Sequence, residues 1–210
     1  MKKLKTILLA LVLGIGMVGF TGCNKNTENN IVEEPKVEEK EESKFDISKY
    51  TKEVETYTLE ATNKKASLDV GFTKELDYTR TEAPGVYRLL LENSYNKVEV
   101  QFYNTKLSTS QAVAKREEAD FDAEKTKDYK KLNINGNEGW QIYRLNSTTK
   151  KIMSYEAQIF FGEETEDGFV NAAKITINPN STTEEGKNFN FEEFVKSDDF
   201  QYLLYSMKVK

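Results

Sequence analysis

Histidine is absent from all 210 residues, and cysteine occurs once, at Cys23. Serine–histidine and cysteine–histidine nucleophile pairs are therefore impossible, and so are the histidine-based zinc sites usual in catalysis. One Ser-x-x-Lys tetrad remains, Ser147 to Lys150. It works as a nucleophile site when the serine opens a helix and a Lys-Thr-Gly triplet follows. Here the tetrad falls in an expected hairpin loop and no such triplet exists, so loop polarity accounts for it. The acidic stretch Gly162 to Gly168 invites a calcium reading. Setting Gly168 on the glycine of a calcium loop puts Glu163, Thr165 and Asp167 at the first three ligand positions. Lys174 then stands where the bidentate glutamate belongs, and an ammonium there repels the ion. A solvated hairpin with an Asp-Gly turn explains these residues better. No catalytic, cofactor-binding or metal-ligating residue is assigned, and no cofactor is expected. Carboxylate pairs for acid–base work on sugars stay open, because they are defined by spatial separation.

The cysteine has a better explanation in its neighbours. Lys2, Lys3 and Lys5 form a basic head, and the apolar run from Ile7 to Phe20 is only about 21 Å long as a helix. That is short for a bilayer core of about 30 Å and suits a secretory signal. Phe20-Thr21-Gly22-Cys23 resembles the lipobox of bacterial lipoproteins: an apolar residue, two small ones, then cysteine. The resemblance implies that the signal, residues 1–22, is removed and that the Cys23 thiol receives diacylglycerol. Two acyl chains anchor stably where one does not, each buried CH₂ contributing about 0.8 kcal/mol. The expected location is the outer, extracytoplasmic face of a bacterial cell membrane, with membrane lipid as a partner through acylated Cys23.

After Cys23 comes a glutamate- and lysine-rich stretch with three aliphatic residues, Ile31, Val32 and Val37. It offers too little apolar surface to offset ordering entropy, so residues 23–50 are expected to be a disordered acidic tether. A formal charge of −5, with lysines scattered among acids, is a poor match to nucleic acid, where neutralising phosphate drives binding.

Residues 51–210 are expected to form a single α+β domain. Ala66, Leu68, Val70 and Phe72 alternate with polar residues as a half-buried strand does. Val54–Leu59 precedes them across an Asn63-Lys64-Lys65 loop. Further strands are expected at Val86–Glu92, Lys97–Tyr103, Leu132–Ile134, Trp140–Leu145, Met153–Phe161 and Phe169–Ile177. One long helix is expected over residues 107–131, opened by Ser108 and Gln111 at capping-box spacing and closed by Lys125, Lys127, Lys130 and Lys131. Residues 178–187 read as a polar loop, Phe191–Lys196 and Asp199–Leu204 as short helices, and Tyr205–Val209 as a last strand. The sequons at Asn146 and Asn180 mark exposed loops. Tyr95, Tyr103 and Tyr129 fall at element ends, where core packing is the plainer use of aromatics and a binding cluster the alternative.

The opening hairpin ending ASLDVGF, the NGNEGWQIY turn and strand, and the terminal FEEFVKSDDFQYLLYSMKVK run resemble the PsbP-like family of small α/β/α sandwiches on membrane faces. That resemblance implies a non-enzymatic binding or assembly module, with another envelope protein as partner. The competing readings are a carboxylate-based cell-wall hydrolase and a small-ligand-binding protein.

Overall fold

Period-two alternation of apolar and polar residues organises most of the described chain. The computed structural model describes residues 45–81, 87–105, 125–162 and 168–210, which belong to one compact unit. Ten strands are described: β1 (Val54–Glu60), β2 (Ser67–Thr73), β3 (Thr79–Thr81), β4 (Arg88–Glu92), β5 (Asn96–Thr105), β6 (Thr126–Ile134), β7 (Asn137–Leu145), β8 (Ile152–Phe161), β9 (Val170–Pro179) and β10 (Lys208–Val209). Three helices lie near the C-terminus: α1 (Glu184–Lys187), α2 (Phe191–Lys196) and α3 (Asp198–Ser206). Single 3-10 turns occupy Ile47–Lys49 and Lys74–Leu76. The strands form two sheets, β1-β2-β10 and β3-β4-β5-β9-β8-β7-β6. Every pairing is antiparallel. The protein is thus mostly antiparallel sheet with few helices, an α+β arrangement.

Register puts one apolar row on each inner face. Leu68, Val70 and Phe72 of β2 share a buried cluster with Val98, Val100 and Phe102 of β5, Tyr155, Ala157 and Ile159 of β8, and Phe191, Phe200, Leu203 and Leu204 of the helices. At its centre the Tyr155 ring meets Phe200 edge-on at 5.3 Å and Tyr143 at 5.5 Å. Such pairs contribute about 0.5–1.5 kcal/mol each beyond their buried area. The Tyr155 hydroxyl, wholly buried, donates to Gln141 Oε1 at 2.9 Å, so neither polar group is left unsatisfied. The opposite face of the larger sheet carries a smaller cluster of Trp140, Ile142, Phe160, Val170 and Ala172.

Local chemistry sets the turns and helix starts. Asn135 and Gly136 both adopt positive φ, 53° and 86°, which a two-residue hairpin requires and asparagine–glycine tolerates best. Ser197 closes α2 and opens α3: its backbone N–H donates to Phe194 O, and its hydroxyl accepts from Phe200 N at 3.3 Å. Asp198 and Asp199 occupy the first turn of α3, where a carboxylate complements the helix dipole.

Four expectations are corrected. Residues 126–131 are strand, as part of β6, so the expected long helix does not reach its lysine-rich end; residues 107–124 of that reading lie outside the described residues. The lysines that looked like dipole complements are the exposed side of an edge strand anchored by buried Thr126 and Ile134. β3 and α1 were not anticipated, since three residues and four give too short a period to read. Asn180 is buried, with its amide donating to Asn93 O at 2.8 Å and Glu92 Oε1 at 3.2 Å. Finally, β7 starts at Asn137 rather than Trp140.

A Cβ at Gly139 would lie 2.2 Å from the backbone oxygen of Gln158 on the neighbouring strand. Gly139→Ala is therefore expected to destabilise the fold by about 1–3 kcal/mol. Chemical denaturation should show a lower midpoint with an unchanged slope.

Candidate functional site

The groove of interest exists because α3 ends against the edge of β2. Gly71 of β2 has no side chain, and Tyr202 and Ser206 come within 2.8 and 3.2 Å of the place its Cβ would take. Ser206 Oγ accepts from Gly71 N at 2.9 Å, standing in for a ladder bond that no strand supplies there. The chain then leaves α3 through Met207, in extended conformation, and pairs with β2 as β10. Opposite, Asn135 of the β6–β7 turn donates from its amide to Tyr205 O at 2.9 Å, satisfying a carbonyl in the last turn of the helix.

A third wall comes from the N-terminal end of the described chain. Asp46 caps the 3-10 turn that holds Ile47. Phe45 lies 5.8 Å from the Tyr205 ring, and Tyr50 stacks on Tyr202 with centroids 4.2 Å apart. The Tyr50 hydroxyl donates to Asp199 Oδ1 at 2.7 Å, and Lys52 Nζ lies 2.9 Å from Asp199 and 3.1 Å from Glu75. Residues 45–52 thus form a strap along α3. The hydrogen bond to Asp199, with that to Glu75, holds the Lys52 ammonium above its ordinary pKa. Burial first, then the Asp199 carboxylate, push the Tyr50 hydroxyl up to about 12.

Between these walls lies an open groove of about 560 Å³. Its floor is apolar, with buried Phe161 and Met207, and Ile47 stands at the rim 40% exposed. Asn135 and Asn137 bring amide groups, and Lys208 is the one charged residue lining it among the described residues. Ser206 also lines the groove, but its hydroxyl is engaged with Leu203 O at 2.9 Å and has no base beside it. The arrangement can hold a ligand by shape, amide hydrogen bonds and one positive charge; among the described residues it brings no nucleophile to a base.

The sequence candidates lie elsewhere. Ser147–Lys150 is an exposed hairpin turn, in which the Asn146 side chain accepts from Thr148 N and Thr149 N. Lys174 lies 3.7 Å from Glu156 on the outer face of the larger sheet. Glu163, Thr165 and Asp167, like Cys23, lie outside the described residues. Among the described residues no group of three or more histidine, cysteine, aspartate or glutamate side chains is placed to hold a metal ion, and no helix is long and apolar enough to cross a membrane. Of the three tyrosines, Tyr103 and Tyr129 pack on the cluster around Trp140 and Phe160, whereas Tyr95 is exposed at the β4–β5 turn.

Sequence reasoning missed the groove entirely. Its residues come from four separate segments, and no periodic signal links them. It also missed the outer charge lattice, where Arg88 pairs with Glu99 and Arg144 makes two bonds to Glu156, at 3.1 and 3.2 Å. Those charges cancel one another across strands.

Compared with protein-family models, curated proteins and solved structures, the chain matches none of them.

Folded Tyr50 keeps its proton further up the pH scale than the unfolded side chain, whose pKa is near 10.0. Its contribution to stability is therefore whole below pH 10 and is lost as pH rises towards about 12. Tyr103, also held up to about 12 by burial, adds to the same loss. The denaturation midpoint is expected to fall steeply across that window. Tyr50→Phe should lower stability at pH 7 and flatten the alkaline fall, measured by denaturant titrations at stepped pH.

Proposed function

We propose that this chain is a bacterial lipoprotein, anchored through acylated Cys23 on the extracytoplasmic face of the cell membrane, whose domain binds or assembles another envelope component. The observation that carries the binding half is the open groove, walled by Ile47, Tyr205 and the β6–β7 turn and floored by Phe161 and Met207. The anchoring half rests on the lipobox-like Phe20-Thr21-Gly22-Cys23. In this reading the domain is a PsbP-like α/β/α module, supported by the opening β1–β2 hairpin and the helix-to-strand run at the C-terminus.

A carboxylate hydrolase is the less favoured reading because, among the described residues, no carboxylate lines the groove. Moreover, the carboxyls of Asp46, Asp69 and Glu192 are held below their ordinary values by partners, the direction opposite to that of a general acid. A small-ligand binder would use the same groove; its openness on one side favours an extended partner over an enclosed solute.

Two measurements separate the halves. Cys23→Ala is expected to shift gel mobility and move the protein from the membrane fraction to the medium; persistence in the membrane refutes the anchor. For binding, in-cell crosslinking of the parent chain is compared with Ile47→Glu, which places a carboxylate on the rim without opening the core. A partner crosslinked by the parent and lost from the variant is expected; an identical crosslinking pattern refutes the groove as the binding face.

A further inference from the structure

The edge of β10 faces the groove, and among the described residues its outward backbone groups meet no partner. Lys210 N donates to Ser67 O at 2.8 Å, and Ser67 N to Lys210 O at 3.1 Å, so these two residues exchange both bonds. In an antiparallel ladder the next pair, Val209 with Leu68, exchanges none. The N–H and C=O of Val209 therefore point away from β2, and Val209 lines the groove. Side chains alternate along the same edge. Met207 is buried and Val209 packs against the core, while Lys208 projects to solvent. Lys210 is neutralised by Asp69 at 2.5 Å, whose carboxyl it holds below the usual range. Lys208 makes no ion pair among the described residues.

We propose that the groove takes an extended peptide segment of a partner protein, added as a strand beside β10, with an apolar side chain over Phe161 and a carboxylate at Lys208. This rests on reading the groove as the binding face and names the partner's chemistry. Main-chain bonds to Val209 supply affinity, and alternate side chains supply selection. The charges select the occupant. A second copy pairing β10 against β10 would set lysines opposite lysines, which is destabilising. An acidic strand meets the Lys208 ammonium instead, which among the described residues has only a longer-range attraction to Asp69 opposite it. A volume of about 560 Å³ lies within the range of about 300–1,000 Å³ that small binding sites occupy.

The probe is an end-blocked pentapeptide, threonine-valine-glutamate-valine-threonine, titrated into the full chain beside its glutamine counterpart. The glutamate peptide is expected to bind about two- to fivefold more tightly, the range an exposed ion pair gives. Lys208→Ala should erase that preference. Val209→Pro removes the outward N–H at an edge position, where strands tolerate proline, and keeps an apolar side chain there. It should weaken both peptides while leaving thermal stability near that of the parent. On binding, the Val209 amide should gain protection from hydrogen exchange. Equal affinity for the two peptides, or undiminished binding by Val209→Pro, overturns the proposal, as does a dimer that Val209→Pro dissolves. The two readings fail separately. A crosslinked envelope partner that Val209→Pro retains sinks the strand-addition reading alone. Peptide binding lost on Val209→Pro, with no Ile47-dependent partner in cells, sinks the assembly role alone.

Discussion

Helix α3 can lie against the edge of β2 only because residue 71 has no side chain. Tyr202 and Ser206 occupy the space a Cβ would need, and the Ser206 hydroxyl satisfies the Gly71 N–H that the approaching helix keeps from strand pairing. That seat governs the chain in three directions. Inward, it drives Phe200, Leu203 and Leu204 into the core beside Tyr155. Onward, it delivers Met207 to the edge of the smaller sheet, where β10 spans two residues. Outward, it presents Asp199, Tyr202 and Tyr205 as a surface on which the strap of residues 45–52 is held. The groove is the space these consequences leave, so its walls share one cause.

How far such an arrangement can be read from the sequence depends on the length over which each signal repeats. Strands of seven to ten residues, such as β2, β8 and β9, were legible because several apolar side chains alternate within each. A turn at Asn135-Gly136 was legible from its chemistry, but it was read as running on to Gly139, where the structure already has strand. Residues 126–131 were misread because lysines at a helix end and lysines on an exposed strand look alike; only the buried Thr126 and Ile134, eight positions apart, distinguish them. Asn180 was misread as exposed because a sequon says nothing of a hydrogen-bonding partner 87 positions away. The groove was illegible for a related reason. Ile47, Asn135, Phe161 and Met207 belong to separate segments, and only tertiary packing makes them neighbours.

Two long edge strands show why a partner strand would meet this protein at β10 rather than at them. An unpaired strand edge is a general hazard, since its N–H and C=O groups template further pairing. β6, an edge of the larger sheet, carries Lys127, Lys130 and Lys131 and a register shift between Lys127 and Lys130, so it is both charged and kinked. β1, at the far side of the smaller sheet, exposes Glu55 and Glu60. Both edges are long enough to recruit a neighbour and are guarded by charge. β10 is guarded differently, by being too short to support a sheet of its own. A two-residue edge gives little pairing energy, and only a segment that also gains apolar contact can hold on to it. The floor of Phe161 and Met207 lies where that contact is available. Backbone pairing and side-chain burial are each too weak alone at this edge, and requiring both is what turns an exposed strand into a selective site.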